Sequence, residues 1–270
     1  IRYFWSTRKK FLTVLLTIIA ASGIAVGVTA LIITISFMNG FQTDVRERIL
    51  SLSPHIVIYS ANDLEIQSKL PDIKDIKASS QFIYGQVIIK KNKRAMGVVV
   101  KGIVPDEEKN VIDINNRLKG KNISVLKNRT VLIGSELSKN LSIFKDDEVI
   151  LVSPFSEQIT AFAAMPQMEV FKVADIFESG MYEYDSNMIF INLIDAKRLL
   201  GKGGINGVEV KTKNIFKADK VSRLLKKKLG VSYTIRTWSE MNKNFFAALK
   251  LEKFAMFLIL MLIIIVATFN

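Results

Sequence analysis

Residues 11–38 read FLTVLLTIIAASGIAVGVTALIITISFM, without one charged side chain. As a helix rising about 1.5 Å per residue, this run spans roughly 42 Å. A bilayer core is about 30 Å thick, so the run covers one crossing with length to spare. It also exceeds the apolar stretch of about 7–15 residues found in a cleaved signal peptide, so a retained membrane helix over 11–38 is predicted. Ahead of it, residues 1–10 carry Arg2, Arg8, Lys9 and Lys10 and no acid. An excess of cations marks the cytoplasmic flank. Residues 39–253 then lie on the outer side. Within the helix, Gly23 and Gly27, with Ala20 and Ala30 on nearly the same face, leave room for another helix to approach closely.

The other end mirrors this pattern. Residues 254–270, FAMFLILMLIIIVATFN, are again uncharged and are expected to start a second membrane helix running back. The chain begins at Ile1 rather than Met and stops inside this run, so we expect a longer protein with the second helix truncated. Next to each apolar run lies an amphipathic stretch. Phe41, Val45, Ile49 and Leu52 recur at helical spacing in 39–52, and Trp238, Met241, Phe245 and Leu249 do so in 238–253. Two stem helices continuous with the membrane helices are predicted, able to pass motion from one side to the other.

Between the stems the composition is that of a soluble domain. The whole chain of 270 residues is 49% hydrophobic, with mean hydropathy +0.26, and the apolar excess sits at its two ends. The net charge of +13 is read mainly as solvated lysines, with a weak attraction to anionic membrane lipid. On the outer side of a membrane a nucleic-acid partner is excluded. There is no cysteine, hence no disulfide and no thiolate metal site. Runs rich in Val, Ile, Phe and Tyr predict strands at 55–59, 82–90, 95–103, 130–133, 148–152, 170–176, 188–192, 208–212 and 233–237. Helices are predicted at 64–70, 135–144, 193–200 and 217–229, the last an amphipathic surface helix with a solvated basic face. The class is α+β. The stretch Ile159–Gln167, inside the segment 153–168, is uncharged and lies between two strands, so it is either buried or a contact surface.

No phosphate-binding loop and no dinucleotide fingerprint occur in the sequence. The single histidine, His55, follows Ser53-Pro54 at the start of a strand and cannot form a zinc site alone. A structural role is expected for it. No catalytic, cofactor-binding or metal site is expected.

Three blocks carry a family resemblance. The first is Ile35-Ser-Phe-Met-Asn-Gly-Phe41, followed by Arg46-Glu-Arg-Ile-Leu50 and Ser53-Pro-His-Ile56. The second is Phe177-Glu-Ser-Gly-Met-Tyr-Glu-Tyr-Asp185, followed by Asp195-Ala-Lys-Arg-Leu199. The third is Trp238, then Phe246-Ala-Ala-Leu-Lys-Leu-Glu-Lys253 entering the last apolar run. In this order they resemble Lol-type lipoprotein-releasing permeases of the FtsX/MacB-like superfamily. The resemblance implies an inner-membrane subunit with a large two-lobed periplasmic domain, one lobe formed by 53–115 and 180–237 and the other by the inserted 116–179. It implies a separate cytoplasmic ABC ATPase, a second permease subunit that is a copy or a paralogue, a lipoprotein substrate and a periplasmic chaperone. A hairpin hook that captures the chaperone falls at Phe162, Met165 and Pro166. The chain itself would catalyse no bond change. The competing readings are a MacB-like efflux pump, an FtsX-like regulator of cell-wall hydrolases, and a membrane-anchored periplasmic sensor.

Overall fold

A computed structural model describes residues 2–60, 67, 70, 73–120, 122–154, 159–160, 163–164, 166–230 and 233–269. The chain divides into two compact units, Ile1–Glu47 with Asn242–Asn270, and Arg48–Met241.

The first unit is helical. Helix α1 (Arg2–Leu52) runs through the first apolar stretch and the predicted stem without a break. Its few polar side chains bond to the helix's own carbonyls. The hydroxyls of Thr17, Thr29 and Thr34 donate to the carbonyls of Thr13, Ala25 and Ala30 at 2.9, 2.7 and 2.8 Å. A helix meeting lipid needs this, because hydrocarbon offers no partner to a bare hydroxyl. Among the described residues, Thr13–Phe41 is the one stretch long and apolar enough to cross a membrane. The side chains of Val45, Ile49 and Leu52 lie outside the described residues, as does most of the helix expected at 64–70.

The second unit is a mixed sheet with short helices. In chain order its elements are β1 (Ile56–Ser60), β2 (Ile76–Lys91), β3 (Arg94–Ile103), α2 (Pro105–Val111), β4 (Thr130–Gly134), α3 (Ser135–Leu141), β5 (Glu148–Ser153), β6 (Ile159–Thr160), β7 (Ala163–Ala164), β8 (Gln167–Phe177), α4 (Tyr182–Asn187), β9 (Met188–Asn192), α5 (Leu193–Leu200), β10 (Ile205–Thr212), α6 (Ala218–Leu229), β11 (Thr234–Thr237) and α7 (Trp238–Met241). Helix α8 (Lys243–Phe269) belongs to the first unit and enters the last apolar run.

Nine strands follow the order β11-β1-β10-β2-β3-β9-β4-β8-β5. Among the described residues, only β3–β9 and β4–β8 pair in parallel. Strand β2 serves two neighbourhoods. Its first part, Ile76–Tyr84, pairs with β10, while Ile88, Ile89 and Lys90 pair with Val152, Leu151 and Ile150 of β5. That last pairing closes β2-β3-β9-β4-β8-β5 into a ring, which removes two open sheet edges. Alternate residues face its core, among them Val87 and Ile89, Val98 and Val100, Val149 and Leu151, and Phe171 and Val173. Leu137 and Leu141 of α3 and Leu193, Ala196, Leu199 and Leu200 of α5 join the same core. The segment 116–179, expected as an inserted lobe, supplies β4, β5 and β8 to this common sheet and sits in one compact unit with its flanks.

Candidate functional site

Two places in the second unit hold segments singled out in the sequence: the edge where the chain enters and leaves it, and the hairpin of β5 and β8.

At the first, β1 follows the end of α1 and β11 precedes α7. The two strands are antiparallel neighbours, with Ile56 opposite Thr237 and Tyr59 opposite Thr234. The ladder continues past the strands, since the Trp238 amide donates to the His55 carbonyl at 3.0 Å. His55 is fixed in turn. Its amide donates to the Val210 carbonyl at 3.1 Å, and its Nδ1 accepts the Thr212 amide at 3.1 Å. The Trp238 indole donates to the Ile215 carbonyl at 3.3 Å. Burial, aided by the charge of Lys211, pushes the His55 imidazole down to about 4, so it is neutral at pH 7. The residues of the Ser53-Pro-His55 and Trp238 blocks thus tie the incoming and outgoing chain together, and His55 has the structural role expected of it.

At the second, β5 and β8 pair out to Ser153 opposite Gln167. Between them in sequence, β6 and β7 form a two-stranded ladder of their own, Ile159 opposite Ala164 and Thr160 opposite Ala163. Pro166 is exposed at its return. Phe162 and Met165 lie outside the described residues. The sequence reading missed an apolar row beside this hairpin. Ile88, Val152 and Met168 are cross-strand neighbours on β2, β5 and β8, with Val170 two residues further on. Ile88, Met168 and Val170 are 44, 61 and 47% exposed. The signal was present, because Met168 and Val170 alternate out of phase with the buried Phe171 and Val173. The base of the hairpin is held to α5 by Arg198, whose Nε and terminal nitrogen each donate to Glu169 at 2.8 Å, with Asp195 at 2.5 Å from the same guanidinium.

The second family block, Phe177–Asp185, is a clamped turn. The Asp185 carboxylate accepts the amides of Ser179 and Gly180 at 2.8 and 3.2 Å. Gly180 has φ of 77°, a conformation side chains disfavour. A side chain at Gly134 of β4 would overlap the backbone of Asp185.

Sequence reasoning also missed a buried charge cluster. Lys101 of β3 donates to Glu108 of α2 at 2.7 Å and to Glu209 of β10 at 2.8 Å, and all three side chains are 2% exposed or less. The Lys101 ammonium also lies 5.6 and 5.8 Å from the ring centres of Tyr84 and Phe190. Burial alone would lower Lys101, but Glu108 and Glu209 outweigh it and hold it well above the usual lysine range. Burial pushes Glu209 up to about 8 against the pull of Lys101. The second oxygen of Glu108 is buried without a hydrogen-bond partner. Enclosed on every side, the cluster braces β3, α2 and β10 against one another.

In the first unit, apart from the adjoining stretch of the same helix, no atom of the described residues lies within 4 Å of a Cβ placed at Gly23 or Gly27. A groove of about 310 Å³ lies between Ile35, Met38 and Asn39 of α1 and Glu252, Lys253, Met256, Phe257 and Leu260 of α8.

A helix long and apolar enough to cross a membrane precedes a mixed sheet domain whose entry and exit strands are paired. Its kind follows from comparison with known proteins. A family model described as the MacB-like periplasmic core domain matches residues 17–228. The lipoprotein-releasing system transmembrane protein LolC of Xylella fastidiosa (strain 9a5c) is 29% identical over 278 residues, covering 100% of this chain and 67% of its own length. LolC of Buchnera aphidicola subsp. Schizaphis graminum (strain Sg) is 31% identical over 279 residues, covering 100% of this chain and 68% of its own. The crystal structure of the periplasmic region of MacB from Actinobacillus actinomycetemcomitans covers 73% of this chain and 94% of its own at 14% identity, with a TM-score of 0.44. The chain belongs to the FtsX/MacB-like permease superfamily and, within it, to the Lol-type group.

Proposed function

We propose that this chain is the permease subunit of an ABC transporter that lifts lipoproteins from the inner membrane and hands them to a periplasmic chaperone. ATP hydrolysis takes place in a separate cytoplasmic subunit, and a second permease completes the membrane part. Residues 11–38 and the run from 254 cross the inner membrane. Residues 53–237 form the periplasmic domain, with 116–179 as its distal, chaperone-facing portion carrying the hook at Phe162, Met165 and Pro166. Gly23 and Gly27 seat a helix of a neighbouring subunit. Gly27→Leu is expected to lower assembly of the complex in detergent while Val26→Leu leaves it unchanged, and equal tolerance would refute that role.

The observation that carries the mechanism is the pairing of β1 with β11. Both connections to the membrane helices enter through adjacent, hydrogen-bonded strands, so motion of either stem is delivered to the domain as one rigid input. The hook strands β5 and β8 lie at the other end of the strand order. The test uses the native absence of cysteine. A Tyr59→Cys/Thr234→Cys disulfide should leave ATP-dependent transfer of lipoprotein from proteoliposomes to soluble chaperone at its wild-type rate. If oxidation stops transfer and reduction restores it, the strands must separate during the cycle and the rigid-input mechanism is wrong. If no transfer occurs with ATPase and partner permease present, the lipoprotein reading itself fails.

A further inference from the structure

More than half of the net charge of +13 sits in eighteen residues. Residues 211–228 hold seven lysines, one arginine and one aspartate, a net +7. The fold concentrates this charge. Ala218, Val221, Ser222 and Leu225 of α6 face the core. At 3.6 residues per turn, Phe216, Lys220, Arg223 and Lys227 then fall together on the opposite side. All four are exposed, Phe216 to 74%. The neighbouring carboxylates are already engaged. Asp75 pairs with Lys217 at 3.0 Å, Asp219 accepts the Ser239 hydroxyl at 3.2 Å, and Glu240 lies 3.8 Å from Lys226. Lys220, Arg223 and Lys227 make no ion pair among the described residues. The cationic field reaches the groups around it. The Lys217 hydrogen bond, with the charges of Lys220 and Lys213 behind it, holds Asp75 below the usual carboxylate range. Burial and the nearby Lys77 lower Lys211.

We propose that this face of α6, with Phe216 at its head, docks on an anionic phospholipid headgroup surface. A site that recognises one defined carboxylate or phosphate uses the rigid fork of arginine and a cavity to hold it. Here seven of eight cations are lysines, on a convex helix surface. Such an array of point charges matches many mobile phosphates rather than one fixed partner. An exposed phenylalanine among those cations fits the same surface, because an aromatic ring enters the boundary between headgroups and acyl chains. An acidic protein would be expected to cover Phe216 with a shaped pocket and to engage arginines.

The inference rests on the reading that the full chain is membrane-inserted, and co-elution of the chain with nanodiscs checks that separately. Leu224→Cys, beside the cationic face, would carry a fluorophore in nanodiscs containing headgroup-spin-labelled lipid. Quenching should rise when phosphatidylglycerol replaces part of the phosphatidylcholine and should fall at high salt. Each cation near such a surface is worth about fivefold, so Lys220→Glu/Arg223→Glu/Lys227→Glu should lower the ratio of docked to undocked chain about a hundredfold or more. Phe216→Ser should weaken docking while leaving its salt dependence. Equal quenching in pure phosphatidylcholine overturns the charge recognition. Absence of quenching in a co-eluting, folded chain overturns the lipid partner and leaves an acidic protein as the occupant of the face.

Discussion

Lys101 and the lysines of α6 belong to the same compact unit and handle charge in opposite ways. The Lys101 ammonium is enclosed and matched by two carboxylates and two aromatic rings. Lys220 and Lys227 stand in water and make no ion pair among the described residues. A charge moved out of water is tolerated only when its surroundings are fixed to suit it, so the Lys101 cluster records how the domain is built. An exposed, unmatched charge costs the fold almost nothing, so its arrangement is free to suit something outside the chain. The same contrast separates the packed interior of the β2-β3-β9-β4-β8-β5 ring from the row of Ile88, Met168 and Val170 left uncovered on its outside.

The sharpest break of that contrast is at Lys101. Lys101→Met would leave Glu108 and Glu209 facing each other in a sealed space, and should cost about 3–5 kcal/mol of stability. Replacing the three residues together by apolar side chains of similar volume should recover most of that loss, since a buried ion cluster is often no better than hydrocarbon. Chemical denaturation of the single and triple variants decides the matter. A single variant as stable as wild type would mean that water reaches the cluster.

This cluster was not legible in the sequence, and the reason is register. Lys101 interrupts the apolar run Val98-Val-Val-Lys-Gly-Ile103, which marks it as unusual, but Glu209 meets it only through the pairing of distant strands. Local patterns were read well. Strand β9 and helix α5 fall at the predicted residues, because strong β formers are followed by an Asn192 that caps the helix through the Ile194 amide. The first part of β2 was missed, since Lys77, Ser79 and Ser80 have weak strand preference and are held by β10 and its long-range partners. Helix α2 was missed although Pro105 begins it and Asp106, Glu107 and Glu108 fill its first turn, a start signal overlooked because the helix is short. The segments flanking the candidate hook were visible as strands. The exposed row beside them was overlooked although its alternation was there to see, because apolar residues on both faces of β8 read as burial on both.

At the hairpin the expected effect is on binding. Truncating an aromatic anchor at an interface typically costs about 2 kcal/mol or more. Phe162→Ala should therefore weaken capture of the chaperone by at least roughly thirtyfold, with ATPase coupling and melting temperature unchanged. A melting temperature lowered by the change would instead place Phe162 in a packed core, where truncation costs about 3–5 kcal/mol. Met168→Ser tests whether the exposed row on β8 belongs to the same surface, with a smaller loss of capture expected and no change in stability.

The pH profile of stability separates two buried groups by sign. Burial pushes the Glu209 carboxyl up to about 8, from an ordinary value of 4.5. Across that window the folded chain keeps a proton that the unfolded chain has released, so stability declines as pH rises from 4.5 to 8. His55 titrates near 4 against 6.5. Over that window the unfolded chain holds the extra proton, so stability declines as pH falls from 6.5 to 4. Melting curves from pH 4 to 8 should show both limbs. Glu209→Gln should flatten the alkaline limb and His55→Asn the acid one, and a profile unmoved by either change would remove these groups as its cause.

The smallest effect belongs to the α6 face, and its smallness is the point. If Lys220, Arg223 and Lys227 served the fold, reversing their charge would destabilise it. They make no ion pair among the described residues, and the neighbouring carboxylates Asp75, Asp219 and Glu240 are taken up by Lys217, Ser239 and Lys226. Exposed substitutions away from caps and cores usually change stability by less than about 0.5 kcal/mol. Here relief of repulsion acts in the stabilising direction, and its size should diminish with added salt as screening shortens its reach. Lys220→Glu/Arg223→Glu/Lys227→Glu should therefore melt at or slightly above the wild-type temperature at low salt and converge with it at high salt. A marked drop in melting temperature would show that these cations are matched within the chain after all, and the division between built-in and outward-facing charge would fail at this face.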